Sequence, residues 1–234
     1  MQKIITLSVF LFSLANVSGQ NLTGKELLQK SIEYHDPQGK WPVFKGGLHL
    51  VETRPDASDR KTHLHLNNKT AYFELIQHRD ENELVHVLEN GECFQLLNKS
   101  RDISGEDREQ HKLNCDRTYL LRNYYLYLWG LPMKLKDTGT QVHDEVGNTE
   151  FQGKQVLSLK VTYDKAVGKD TWYFYFNPDN YALVGYRFFH DETKNDGEYI
   201  TLEGEKTIKG IRFPKNRKWF TNQDEKFLGE DILE

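Results

Sequence analysis

A mainly β fold, with short helices docked on an antiparallel sheet, is what the sequence predicts, and three observations carry it. Residues 156–219 are cut by Asn177-Pro178-Asp179-Asn180 and Asn195-Asp196-Gly197 into short runs of Val, Ile, Tyr, Phe, Thr and Trp. Such runs joined by tight turns read as an antiparallel meander of four or five strands. Leu48-His49-Leu50 and Leu64-His65-Leu66 alternate apolar with polar residues, the period of a strand with one buried face. Only 37% of the 234 residues are apolar, yet 12% are aromatic, so the core is expected to rest on large rings more than on aliphatic packing.

The elements follow in chain order. Met1-Gln2-Lys3, the apolar run that starts at Ile4 and ends at Ala15, and the small residues near Gly19 have the layout of a secretory signal peptide, assigned to residues 1–20. The run is shorter than the roughly 20 residues that span a bilayer, so no stable membrane span is expected. Residues 21–234 then make one exported domain, periplasmic or secreted. Thr23 and Glu26 stand at the spacing of a capping box, and Leu27, Leu28, Ser31, Ile32 and His35 follow at helical spacing until Asp36-Pro37. A single short amphipathic helix needs a larger surface to dock on.

Strands are expected over residues 48–53, 62–66, 71–78, 83–88 and 92–97, with a tight turn at Glu89-Asn90-Gly91-Glu92. Residues 99–112 are charged and without period and read as an exposed loop. Residues 116–130 give a second long helix, with Asp116 as its cap, Gly130 as a left-handed exit and Pro132 as a stop. It is apolar round most of its circumference and is expected to be buried on more than one side. A polar linker then runs to Asn148. In the final meander Trp172, Phe174 and Phe176 share one strand face, and Val184, Tyr186 and Phe188 share another.

The formal charge of -4 argues against general nucleic-acid binding, which requires a basic stripe, and does not exclude a local basic patch. Cys93 and Cys115 are the two cysteines. In an oxidising compartment an isolated pair reads as a disulfide, with two unrelated buried thiols as the alternative.

Asp170-Thr171-Trp172-Tyr173-Phe174-Tyr175-Phe176-Asn177-Pro178, Leu183-Val184-Gly185-Tyr186 and Gly210-Ile211-Arg212-Phe213-Pro214-Lys215 carry a resemblance. With the order of helix, strands, buried helix and aromatic meander, they resemble the LolA/LolB-like lipoprotein-carrier fold of Gram-negative envelopes. Tyr34-His35-Asp36-Pro37, the stretch that opens with Trp129-Gly130-Leu131-Pro132, and Gly197-Glu198-Tyr199-Ile200 resemble a family of exported Bacteroidota proteins known as a domain of unknown function. The resemblance implies a strongly curved antiparallel sheet, an incomplete barrel, wrapping one to three helices around a groove for acyl chains. No arginine matches the anchor that carriers use for lipoproteins, so no functional residue transfers from that family.

Three constellations remain as sites. His63 and His65, with His49 across a strand pair, have a metal-like convergence, but the alternating leucines place them on a solvent face, so no metal is assigned. His35-Asp36 and His190-Asp191-Glu192, with Asp170, Asp196 and Glu198 nearby, offer general acid–base groups without a nucleophile motif; turn and helix-stop roles account for them, and no catalytic residue is assigned. The rings Tyr119, Tyr124, Tyr127 and Trp129 on the helix and Trp172, Phe174, Phe176, Tyr186 and Phe188 on strands read either as a filled aromatic core or as the walls of an apolar groove. The function expected is therefore carriage of a hydrophobic small molecule or lipid, without cofactor or enzymatic chemistry. An envelope hydrolase dependent on metal or on His and Asp is one alternative, and a scaffold that binds another envelope protein is the other.

Overall fold

The computed structural model describes residues 22–234; the signal peptide expected over residues 1–20 lies outside the described residues. Helix α1 (Gly24–His35) begins where the sequence places it. The Thr23 hydroxyl accepts from the Glu26 amide at 3.3 Å, and the Glu26 carboxylate accepts from the Thr23 amide at 2.8 Å. Two donors of the first turn are thereby satisfied. The helix ends at Asp36, whose carboxylate accepts from the Lys40 and Trp41 amides. Leu27, Leu28, Ser31 and His35 form its buried stripe, and each fully buried leucine contributes about 2 kcal/mol.

Strands β1 (Lys45–Arg54), β2 (Ala57–Asn67), β3 (Tyr72–Arg79), β4 (Asn82–Glu89) and β5 (Glu92–Leu97) form one antiparallel meander. After helices α2 (Gly105–Gln110) and α3 (Cys115–Gly130) comes a second, made of β6 (Thr140–Phe151), β7 (Lys154–Tyr163), β8 (Thr171–Phe176), β9 (Leu183–Phe189), β10 (Glu198–Ile208), β11 (Ile211–Thr221) and β12 (Phe227–Leu233). Pairing of β1 with β12, Leu50 opposite Leu233, joins the two into a 12-stranded sheet that runs from β5 through β1 and β12 to β6. The edges β5 and β6 do not pair with each other, so the barrel stays open.

Curvature follows from what α3 touches. The Thr118 hydroxyl meets His86 of β4 at 2.8 Å, while the Tyr127 hydroxyl meets Tyr163 of β7 at 2.5 Å. Those strands lie nine positions apart in the sheet, roughly 43 Å if it were flat, and a helix is only about 10–12 Å across. One helix reaches both because the sheet bends around it. Leucines of β1, β2 and β3 accordingly share one core with rings of β8 and β9 and with both long helices. Cys93 of β5 and Cys115 at the start of α3 are joined as a disulfide, Cα to Cα 5.9 Å.

The structure departs from the sequence reading at several places. Residues 105–110 form α2 in place of a loop: the Ser104 hydroxyl accepts from the Asp107 amide, and a short exposed helix with a cap needs no apolar stripe to signal it. The supposed linker before Asn148 is β6, polar because it is an edge strand with most of its side chains outside the core. Asn114 caps α3, two residues before Asp116. Gly130 is the last helical residue, and the chain leaves through an extended Leu131. Glycine is required at 130 because a Cβ there would stand 2.5 Å from the Trp41 ring. A bulge at Val184, where Tyr175 faces Gly185 but Phe176 faces Leu183, turns Val184 onto the convex face and leaves Tyr186 and Phe188 on the concave one.

Helix α1 approaches the sheet closely at Gly24, where a Cβ would lie 1.9 Å from the His143 carbonyl oxygen of β6 and 2.7 Å from Leu159 Cδ1 of β7. Gly24→Ala should therefore lower unfolding stability by about 1–3 kcal/mol in a urea titration, through overpacking. Gly105→Ala, whose Cβ meets nothing within 4 Å, should leave the midpoint nearly unchanged.

Candidate functional site: an aromatic groove under helix α3

A buried polar belt on the concave face holds α3 over the sheet. It includes Gln77 of β3, Thr62 of β2, Glu52 of β1, Asp231 of β12 and Arg217 of β11. The phenol of Tyr125, on α3, donates to Glu52 at 2.8 Å and receives a bond from Gln77. Arg60 grips the same carboxylate with two bonds of 2.8 Å, and Thr62 donates to it as well. Burial opposes ionisation of Glu52, but the Arg60 bonds and charge, with Thr62 and Tyr125, outweigh it and hold the carboxyl below its usual range. Asp231 is the reverse: burial, then repulsion from Glu52, pushes its carboxyl up to about 6 against the pull of Arg54 and Arg217. Arg217 lies 4.2 Å over the Trp129 ring and donates to the Leu128 carbonyl.

Beside this belt a groove of about 580 Å³ opens between α3 and β8 to β11. Tyr124, Tyr127 and Leu128, at i, i+3 and i+4, bring one flank of α3 to it. Trp172 of β8 and Tyr186 and Phe188 of β9 form the facing wall. Trp172 is the hub: its ring centroid stands 4.8 Å from Phe188, 5.7 Å from Tyr127 and 6.1 Å from Tyr186. Cross-strand pairing of Trp172 with Phe188 and of Phe174 with Tyr186 fixes this wall.

The nine rings singled out in the sequence therefore part company. Tyr124, Tyr127, Trp172, Tyr186 and Phe188 line the groove. Phe174 is fully buried behind Trp172, its ring stacked at 6.0 Å, and Phe176 is buried in the core. Trp129 is buried under Arg217, and Tyr119 projects outward, 47% exposed. The helix is thus open on one side, where Tyr119 and Leu120 are exposed, and not buried all round. The sequence reading missed Arg54, Glu198, Ile200, Trp219 and Leu228, which complete the groove. Strand register places Ile200 opposite Tyr186 and Trp219 opposite Ile200; periodicity along one strand does not contain that information.

The rings on the other face of the meander pack elsewhere. Phe151, at the tip of the β6–β7 hairpin, stacks on Tyr175 at 4.3 Å and stands edge-on to Tyr199, over the bare backbone of Gly185. A smaller hollow of about 290 Å³ beside them is lined by Phe151 and Phe220 together with Lys154, Glu203 and Lys218.

The histidines singled out in the sequence are held in structural roles. His49, His63, His65 and His78 stand on the convex face, with His49 and His63 centroids 4.5 Å apart and His65 bound to Glu74 at 2.6 Å. Among the described residues no cluster of three or more His, Cys, Asp or Glu is disposed to hold a metal. His35 is buried; its Nδ1 donates to the Arg212 carbonyl and its Nε2 accepts from the Leu183 amide, which ties α1 to β11 and β9 as a neutral ring. His190 is held by Asp170 at 2.8 Å, in an exposed position.

The fold has counterparts among solved structures. The architecture is the LolA-like open half-barrel: a LolA superfamily protein from Nitrosomonas europaea, 12% identical, superposes with a TM-score of 0.50 over 92% of each chain. A Vibrio parahaemolyticus domain described as outer membrane lipoprotein-sorting is 11% identical over 90% of this chain and 91% of that one, with a TM-score of 0.49. A DUF1329 family protein from Desulfovibrio piger is 10% identical over 90% of each chain, with a TM-score of 0.48. The chain itself belongs to the Family of unknown function (DUF6503), whose model matches residues 2–233. None of the curated proteins matches it, and no described helix is long and apolar enough to cross a membrane.

The fastening of α3 has a pH signature. Burial, reinforced by the charges of Arg117 and Arg79, pushes the His86 imidazole down to about 4, whereas the unfolded chain titrates near 6.5. The unfolded state thus takes up the proton first, and stability falls as pH drops from about 6.5 toward 4. Asp231 works in the opposite sense, losing stability as pH rises toward its raised value. Urea titrations at pH 7 and pH 4 should show the wild type losing about 3 kcal/mol more than His86→Gln over this interval; equal losses would contradict the neutral buried ring.

Proposed function

We propose that this protein is an exported, non-enzymatic carrier that holds a hydrophobic ligand, an acyl chain or a molecule of similar shape, in the groove between α3 and the concave sheet. One observation carries the reading: an open channel of about 580 Å³ walled by Tyr124, Tyr127, Trp172, Tyr186, Phe188 and Trp219. Its volume falls in the range of roughly 300–1,000 Å³ typical of small-molecule sites, and its lining is apolar with few polar groups. A side-chain set meant only for a core would have collapsed into this space, since protein interiors close to crystal-like density. The half-barrel shared with a LolA superfamily protein, and the leader-like N-terminus, support an envelope setting.

Trp172 and Trp219 face the groove and report on occupancy. Delipidated protein titrated with an alkyl maltoside brominated on its chain, whose head group is uncharged, should lose a large part of its tryptophan emission in a saturable manner. Trp172→Ala removes the hub ring, and Phe188→Asp places a charge in the wall; each should weaken uptake by about tenfold or more, while Tyr119→Ala, on the outer side of α3, should not. Absence of saturable quenching in the wild type would refute the carrier reading.

A further inference from the structure

The groove has one charge with nothing to answer it. Glu198 lies on β10 opposite Phe188 and in phase with Ile200, so its side chain shares the concave wall with the rings. Among the described residues it has no hydrogen-bond or ion-pair partner; the charges that act on it, His190 and Arg54, are committed to other acceptors. Arg54 donates to Asp231 and to the carbonyls of Thr53 and Glu230, and His190 is bound by Asp170. Burial raises the Glu198 carboxyl above its usual range. A carboxylate in apolar surroundings without a partner is costly to keep, and a cation brought beside it removes that cost.

The walls favour the same sign. Aromatic faces attract cations through their negative quadrupole, and a set of rings around a pocket is how quaternary ammonium groups are bound. One wall already works this way: the Arg54 guanidinium stands 5.4 Å over the Trp219 ring. An anionic head group would find Arg54 neutralised by Asp231 and would face Glu198 directly.

Resting on the carrier reading, we propose that the groove selects amphiphiles whose polar end carries an ammonium group, with Glu198 as counter-ion and Trp172 and Phe188 as cation-binding faces. The test titrates delipidated protein with three dodecyl probes below their micellar concentrations, trimethylammonium, maltoside and sulfate, by calorimetry. The trimethylammonium probe should bind on the order of tenfold more tightly than the maltoside, and the sulfate more weakly than either. Glu198→Gln should bring the ammonium-to-maltoside ratio close to one. Glu203→Gln, which removes the same charge from the exposed convex face, should keep the wild-type ratio. The wild-type series decides the matter even if Glu198→Gln fails to fold. Equal affinities, or preference for the sulfate, would overturn ammonium selection and leave the carrier reading standing. Failure of all three probes to bind would overturn the carrier reading itself.

Discussion

The bond from the Tyr125 hydroxyl to the Glu52 carboxylate is the contact on which the concave side of the molecule depends. It is charge-assisted and buried, so its length and direction are tightly constrained. With Thr118 on His86 at one end of α3 and the Leu128 carbonyl on Arg217 toward the other, it sets the helix at one height above the sheet. An apolar helix face can slide or rotate in a greasy trough; a face fastened by three directional polar contacts cannot. The flank bearing Tyr124 and Tyr127 is thereby held at the groove, where Tyr127 meets Trp172 edge-on at 5.7 Å.

Such a belt is expensive to bury, because each ion loses several kcal/mol of solvation and regains it only through good geometry. Glu52 meets that demand with bonds from Arg60, Thr62 and Tyr125. The compensation thins out across the sheet. Asp231 Oδ2, the Nε and Nη1 of Arg217 and the Tyr186 hydroxyl have no partner among the described residues. Of these residues, Tyr186 lines the groove. Satisfied polar groups fasten the helix over β1 to β4. Functional regions of proteins often depart from optimal packing and pairing in this way.

How much of this was legible depends on whether the signal is local. The capping box at Thr23 and Glu26 and the alternation at Leu48-His49-Leu50 could be read directly, because a cap or a pleat is decided within three or four residues. The inward phase of Leu48, Leu50 and Glu52 even announces a buried carboxylate, on the face opposite the more visible histidines. Edge strand β6 and helix α2 were missed because neither has an apolar face to advertise it. Five of the nine rings chosen from composition reached the groove, whereas Trp129 and Phe176 went to the core, Phe174 sits behind the wall and Tyr119 went to solvent. Aromatic content by itself does not say which side of a helix or bulged strand a ring will occupy.

The sequence by itself determined the element types, the antiparallel meander and the dependence on aromatic packing, since turn chemistry, side-chain period and composition are properties of neighbouring residues. Tertiary structure alone decided that β1 pairs with β12, that the sheet bends far enough for one helix to touch β4 and β7, and that Glu198, Ile200 and Trp219 join Trp172 in a common wall. Those relations connect residues far apart in the chain. They are settled by register and curvature, which emerge only when the whole sheet closes on a single core.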